Sequence, residues 1–339
     1  EYVLFTPKTR TTPRTAEFLA NPHIQVVTPK SPNPTWRLWG IGKDIEQQNI
    51  DLYHGLSHEI PFRFHRRKIP SVVTIHDLTF LVYPEQYRFI DRHIYNIKFS
   101  YACRNANIVI ADSTNTRNDI LERYNTPADR VIVVPLACDR SFYVSTTSRQ
   151  QEIARAKYNL PKNYLLYVGS IIERKRLLSV VQSLSTIPKE NRPHLVVVGR
   201  GREYKRLVLD FIRSKQMEHD VTFAPHVTSE DFPSIYQAAM ALVYPSVYEG
   251  FGLPVVEALF SRTPVITSNR SCLPEAAGPY SICINPDDIA ELAHAIERVR
   301  DDTHLRQDMA EKGYTYAQRF HENTVTAQMM NIYQQAIKS

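Results

Sequence analysis

At 339 residues, with 43% hydrophobic and 22% charged residues, the chain has the make-up of a soluble globular protein and is long for a single core, so two domains are expected. No apolar run approaches the roughly 20 residues of a bilayer-spanning helix, no signal peptide opens the chain, and Cys103, Cys138, Cys272 and Cys283 show neither paired spacing nor disulfide-framework density. The net charge of +6 suits anionic small molecules or an anionic membrane surface; without a basic–aromatic module it does not point to nucleic acid.

Short β-branched runs recur at the spacing of α/β units. In chain order, strands are predicted near Tyr2–Phe5, Gln25–Val27, Leu52–His54, Ser71–Ile75, Ile108–Ala111 and Val131–Val134. A second series is predicted near Tyr164–Val168, Leu195–Val198, Val221–Phe223, Ala241–Tyr244, Val265–Thr267 and Ser281–Ile284. Helical periodicity fills the gaps, most clearly at Ile289, Leu292, Ala293, Ile296 and Val299, and again at Val325, Met329, Ile332, Tyr333 and Ala336. Alternation of this kind implies parallel sheets covered on both faces.

The polar stretch Ser145–Gln151 reads as a structure-poor linker between two doubly wound domains. Residues 1–144 form the first, 152–320 the second, and a final helix over 321–339 is expected to cross back to the first. No βα turn precedes the strand at Tyr2–Phe5, so the first domain is expected to lack its opening βα unit. In such sheets ligands sit beyond the C-terminal strand ends, which here predicts a cleft between the domains.

The chemistry concentrates in Tyr248-Glu-Gly-Phe-Gly-Leu-Pro-Val-Val-Glu-Ala258. Glu249 lies in a glycine loop and Glu257 in a helix that Pro254 opens. Gly250 and Gly252 allow close backbone approach, and a helix N-terminus with open N–H groups suits a phosphate. Two carboxylates beside a phosphate site fit a ligand carrying both phosphate and hydroxyls, such as a nucleotide-sugar. A carboxylate near a helix start also complements the helix dipole without any ligand, an alternative for Glu257 but not for Glu249. Paired carboxylates occur in glycoside hydrolases too, but a pair tied to one phosphate-binding loop favours transfer.

Of only 10 glycines, Gly169, Gly199, Gly201, Gly250 and Gly252 follow strand-like runs or lie in turns. After Gly169, Tyr167-Val-Gly-Ser-Ile-Ile-Glu-Arg-Lys175 delivers Arg174 and Lys175 together, either as a solvated basic turn or as the charge that receives a departing diphosphate. His76 and Asp77 end the run Val72–Asp77; His76 can meet a ligand or pack beside an Asp77 that caps the next turn. Asp112 and Ser113 are a weaker pair, with Ser113 reading as a helix cap. Arg63-Phe-His-Arg-Arg-Lys68 is either a solvated loop or an anchor for phosphate-bearing acceptors or lipid head groups. The 12 histidines lack ligand spacing, so no metal site is expected.

Pro245–Leu259, followed by Thr263-Pro-Val-Ile266 and Leu273-Pro-Glu275, closely resembles the family 4 retaining glycosyltransferases of the GT-B fold. The match extends through Tyr167–Lys175, Val196–Gly201 and Asp231–Ala239, and through His54–Ser57, Val73–Asp77 and Ala111–Leu121, so it covers essentially the whole chain. The resemblance implies that Glu249 holds donor-sugar hydroxyls, that Gly250, Phe251, Gly252 and Leu253 contact sugar and diphosphate, and that Glu257 binds the ribose. It implies that Arg174 and Lys175 stabilise the leaving diphosphate, with Gly169, Ser170 and Gly199 beside it, that Val227 meets the nucleobase, and that His76 lies near the transferred sugar.

The implied activity is metal-independent retaining transfer of a mannose- or glucose-type hexose from a GDP- or UDP-linked donor, with no other cofactor. The acceptor is a saccharide or lipid-linked saccharide of surface polysaccharide synthesis. The expected location is cytoplasmic, with peripheral contact at the inner face of the membrane left open. The alternatives are a nucleotide-sugar epimerase of the same fold and a non-catalytic sugar-nucleotide-binding module. Two departures stand out: Ser170 occupies a position where many relatives carry Arg, and Arg262 one where glycine is common.

Overall fold

A computed structural model describes residues 1–9, 12–30 and 35–338. The chain divides into two compact units. The first comprises Glu1–Asp112, Thr116–Val134 and Gln328–Ser339; the second comprises Ser113–Asn115 and Pro135–Ala327.

In the first unit, β1 (Tyr2–Phe5) pairs in parallel with β2 (Ile24–Val27). Strands β3 (Tyr53–Gly55), β4 (Ser71–Ile75), β5 (Ile108–Ala111) and β6 (Val131–Val133) form a four-stranded parallel sheet in chain order. All five residues of β4 are buried, as a parallel strand covered on both faces requires. Val73 and Ile75 share a core with Phe99, Ala102 and Cys103 of the helix Phe89–Asn105.

The second unit holds β7 (Tyr164–Val168), β8 (His194–Val198), β9 (Val221–Phe223), β10 (Ala241–Tyr244), β11 (Val265–Ser268) and β12 (Ile282–Ile284). They form one parallel sheet in the order β12-β11-β10-β7-β8-β9. Side chains alternate across it, so Tyr164, Leu166 and Val168 enter one core while Leu165 and Tyr167 enter the other. The chain starts in the middle at β7, winds out to β9, and returns to pair β10 on the opposite side of β7. That reversal is a topological switch point, and the loops leaving β7 and β10 flank it.

Each predicted strand is present, with bounds shifted by a residue at most. The helices Ile289–Asp301 and Glu322–Lys338 match the predicted periodicity. The stretch Ser145–Gln151 is not structure-poor: it runs into the helix Ser148–Lys157. A capping box explains this, because Thr147 accepts the Gln150 N–H while the Gln150 side chain accepts the Thr147 N–H. The four cysteines are free. Among the described residues no helix is long and apolar enough to cross a membrane.

Arg262 has a left-handed backbone, φ +56°, which accounts for the fit of glycine at this position. Its guanidinium lies 3.9 Å from the centroid of the Tyr314 ring. Left-handed backbone costs a side-chain-bearing residue about 1 kcal/mol, and stacking of a cation on an aromatic ring returns a comparable amount. Arg262→Ala keeps the strain and loses the stacking, so it is expected to be about 1 kcal/mol less stable than Arg262→Gly. Urea denaturation measures the difference, and an alanine variant equal to or above the glycine variant contradicts the account.

Candidate active site

The loops from β7 and β10 bring three charges together. Arg174 and Lys175 lie in a single 3-10 turn, Glu173–Lys175, beyond β7, and Glu249 follows β10. Arg174 Nη1 and Lys175 Nζ each lie 3.1 Å from Glu249 Oε1. The same oxygen accepts hydrogen bonds from Tyr244 Oη and Ser246 Oγ, both at 2.8 Å. Lys175 Nζ also donates to Tyr244 Oη at 2.5 Å, and Arg174 donates to the Tyr248 carbonyl. The three charged side chains are largely buried, 11–14% exposed. Glu249 Oε2 has no hydrogen-bond donor among the described residues. One oxygen is thus fixed by four donors and the other is open.

Burial alone would push the Glu249 carboxyl up, but the Lys175 and Arg174 charges, with the two hydroxyl donors, outweigh it and hold the carboxyl below its ordinary range. Glu257 is the reverse case. Burial pushes its carboxyl up, and the single hydrogen bond from Tyr236 Oη, 2.8 Å to Oε2, does not offset that. Its Oε1 has no hydrogen bond among the described residues. Glu257 is the fifth residue of the helix Leu253–Phe260, past the first turn, so the dipole explanation does not apply to it. Each glutamate is therefore tied through one oxygen to a buried tyrosine, with the second oxygen available.

Between the two glutamates, Gly252 precedes the helix Leu253–Phe260 with φ +102°, a conformation that glycine tolerates best. Pro254 occupies the first turn, as expected. The backbone N–H groups of Phe251, Gly252 and Leu253 have no acceptor among the described residues, the arrangement that binds an anion at a helix N-terminus. Gly199 has a structural reason of its own: a Cβ there would lie 1.9 Å from the Gly169 carbonyl oxygen. Gly169 itself has φ +146°, and Ser170 is exposed. Val227 is half-buried against the core, with neither its N–H nor its C=O bonded among the described residues. Before it, Gly199, Arg200, Gly201, Arg202, Lys205, Pro225 and His226 line a cavity of about 600 Å³.

His76 belongs to the first unit. Its Nδ1 lies 2.7 Å from Asp112 Oδ2 and its Nε2 lies 3.0 Å from the Leu56 carbonyl. The carbonyl and an ionised Asp112 are both acceptors, so together they favour a proton on each ring nitrogen. The Asp112 hydrogen bond accordingly raises the His76 pKa. Burial raises the Asp112 carboxyl more than His76 lowers it, so the ionised pair exists between the two titrations. His58 stacks on Phe99 at 4.3 Å and accepts the His76 backbone N–H, and burial holds its pKa down to about 4. Asp77 accepts the Thr79 N–H at 2.8 Å, the turn-capping alternative.

The structure thus gathers Arg174, Lys175 and Glu249 and adds three residues that the sequence did not single out, Tyr244, Ser246 and Tyr236. The two tyrosines were read as core residues of their elements. The available signal was a phenol hydroxyl in a fully buried position, which needs a partner. Asp112 is the fourth addition, promoted from a weak candidate to the partner of His76.

A two-unit α/β chain with a charged cluster and an anion-binding loop at a switch point has the fold of the GT-B glycosyltransferases. A glycosyltransferase structure from Rickettsia africae superposes with a TM-score of 0.77 at 17% identity, over 99% of this chain and 90% of that one. The Anabaena HepE structure in complex with UDP and glucose superposes with a TM-score of 0.76 at 18% identity, over 98% of this chain and 91% of that one. Residues 1–142 match the family described as Glycosyltransferase Family 4, and residues 148–316 match Glycosyl transferases group 1. The chain is also 32% identical over 287 residues to the O-antigen chain mannosyltransferase B of Escherichia coli, covering 83% of this chain and 74% of that protein. The protein belongs to glycosyltransferase family 4.

The two glutamates predict opposite responses to neutralisation. Glu249 has a depressed carboxyl, so its contribution is present above the unfolded value and fades as pH falls through the folded one. Glu249→Gln at pH 7 leaves two buried cations short of their counter-charge, an expected loss of about 3 kcal/mol. Glu257 has a raised carboxyl, so its contribution is present at low pH and lost as pH rises through the folded value. Glu257→Gln is therefore expected to raise the melting temperature at pH 7. Thermal unfolding of both variants tests this, and shifts of the same sign contradict it.

Proposed function

We propose that the protein transfers a mannose- or glucose-type hexose from a GDP- or UDP-linked donor to a saccharide or lipid-linked acceptor in surface polysaccharide synthesis, with retention at the anomeric carbon. The observation that carries this reading is the Arg174–Lys175–Glu249 cluster beside the open N–H groups of Phe251, Gly252 and Leu253. A diphosphate placed there meets two cations and a helix N-terminus, a charge environment that stabilises it as a leaving group. The same groups supply the positive charge that a divalent ion would otherwise supply, which supports metal-independent transfer. The open oxygen of Glu249 suits hydroxyls of the transferred sugar and that of Glu257 suits the ribose hydroxyls. The backbone of Val227, beside the basic cavity at Arg200 and His226, suits the nucleobase.

Bond making and breaking then proceed on one face of the sugar. The acceptor oxygen bonds to the anomeric carbon as the carbon–phosphate oxygen bond breaks, and the acceptor proton passes to the departing diphosphate. The E. coli relative, an O-antigen chain mannosyltransferase, supports mannose as the sugar and a polysaccharide as the acceptor.

The test is transfer from GDP-mannose and UDP-glucose to a panel of saccharide acceptors, with product configuration read by NMR. Glu249→Ala is expected to lose transfer at least about 100-fold while circular dichroism shows the fold intact. Glu257→Ala is expected to raise the donor KM about tenfold with little change in kcat, the signature of a contact made equally in ground and transition states. Normal turnover by the Glu249 variant, or inverted product, contradicts the proposal.

A further inference from the structure

The helix Phe89–Asn105 is apolar on two opposite sides. At 3.6 residues per turn, Phe99, Ala102 and Cys103 fall on one side, and all three are buried in the core of the first unit. Ile90, Ile94 and Ile97 line the other side one turn apart, and they are 70%, 46% and 49% exposed. Phe89, 73% exposed, extends the stripe at its N-terminal end. A surface helix buries one apolar stripe and turns polar residues to water; this helix carries a second stripe outward.

Cations bracket that stripe. At its N-terminal end Arg88 is exposed and Arg92 lies 5.6 Å from the Phe89 ring centroid. At its C-terminal end the line continues into Tyr101 and the exposed Arg104. Tyr101 fixes the basic loop in place: its hydroxyl accepts the Arg63 backbone N–H at 2.5 Å, and its ring packs edge-on against Phe62 at 4.7 Å. Arg63, His65, Arg66 and Lys68 are all exposed on that loop. The nearby carboxylates of Glu59 and Glu46 are engaged, the first by Arg37 and Lys98 and the second by Arg67.

We infer that the Ile90–Ile94–Ile97 stripe and its cationic ends form a docking surface for an anionic lipid bilayer, with the helix lying in the membrane plane. The pattern of exposed aliphatic side chains and flanking arginines is that of an interfacial helix. At 17 residues, with charges along its length, the helix is not one that spans. Docking a second copy of the chain on this face would set arginine against arginine at its cationic rim, which opposes self-association.

Vesicle co-sedimentation with the full chain tests the inference. The protein is expected to bind phosphatidylglycerol vesicles and not phosphatidylcholine vesicles, and the binding is expected to weaken as salt rises. Ile90→Ser/Ile94→Ser/Ile97→Ser should reduce that binding at least about tenfold with an unchanged melting temperature, because the three side chains face away from the core. Arg63→Glu/Arg66→Glu should reduce it as well and flatten its salt dependence. Equal binding to both vesicle types, or undiminished binding by both variants, overturns the inference. So does light scattering that shows a dimer in vesicle-free solution which the triple variant converts to a monomer, since the stripe is then covered by a second copy.

Discussion

Burying two cations and a carboxylate together is costly unless each finds its counter-charge and hydrogen-bond partners in place. The second unit meets that condition by topology. Because β10 pairs with β7 rather than with β9, the loop carrying Arg174 and Lys175 emerges beside the loop carrying Glu249. Tyr244, the last residue of β10, and Ser246 then complete the shell around a single carboxylate oxygen. The cations are held in position before any ligand arrives, and the second carboxylate oxygen is left open. A preorganised charge site of this kind loses little to reorganisation when an anion enters.

The same economy appears at Glu257, whose carboxylate is steadied by a tyrosine from a neighbouring helix rather than by a cation. The contrast in charge environment separates the two glutamates: one is held ionised by Lys175 and Arg174, the other is pushed toward its neutral form by burial. A site that receives a diphosphate gains from both. The cations near Glu249 match phosphate charge, and the less ionised Glu257 adds little repulsion against it. In the first unit the His76–Asp112 pair follows related logic, with the imidazole oriented by a carboxylate on one side and a carbonyl on the other.

Much of this was legible in the sequence because it is local. Twelve short β-branched runs marked the twelve strands, and the motif at Tyr248–Ala258 marked its own loop and helix. The charge cluster was legible only as two separate segments, since strand pairing is non-local and the reversal at β7 does not show in residue order. Tyr236 and Tyr244 were hidden within apolar runs, where the ring counts as core and the hydroxyl goes unnoticed. Ser145–Gln151 was misread from its polar composition, although the Thr147 and Gln150 spacing carried a helix-start signal. The outward stripe on Phe89–Asn105 was missed because apolar residues on opposite sides of a helix cancel as an amphipathic pattern.

The central claim is that Arg174 and Lys175, steadied by Glu249, receive the donor's diphosphate. Titration calorimetry with bare GDP and UDP, comparing the wild type with Arg174→Met/Lys175→Met, tests it most directly, because it reads the diphosphate contact without chemistry or acceptor. Two charge-assisted contacts, at roughly 1.5–3 kcal/mol each, predict a loss of affinity of about 100-fold or more for whichever nucleotide binds. A folded double variant that binds the nucleotide as tightly as the wild type would contradict the account.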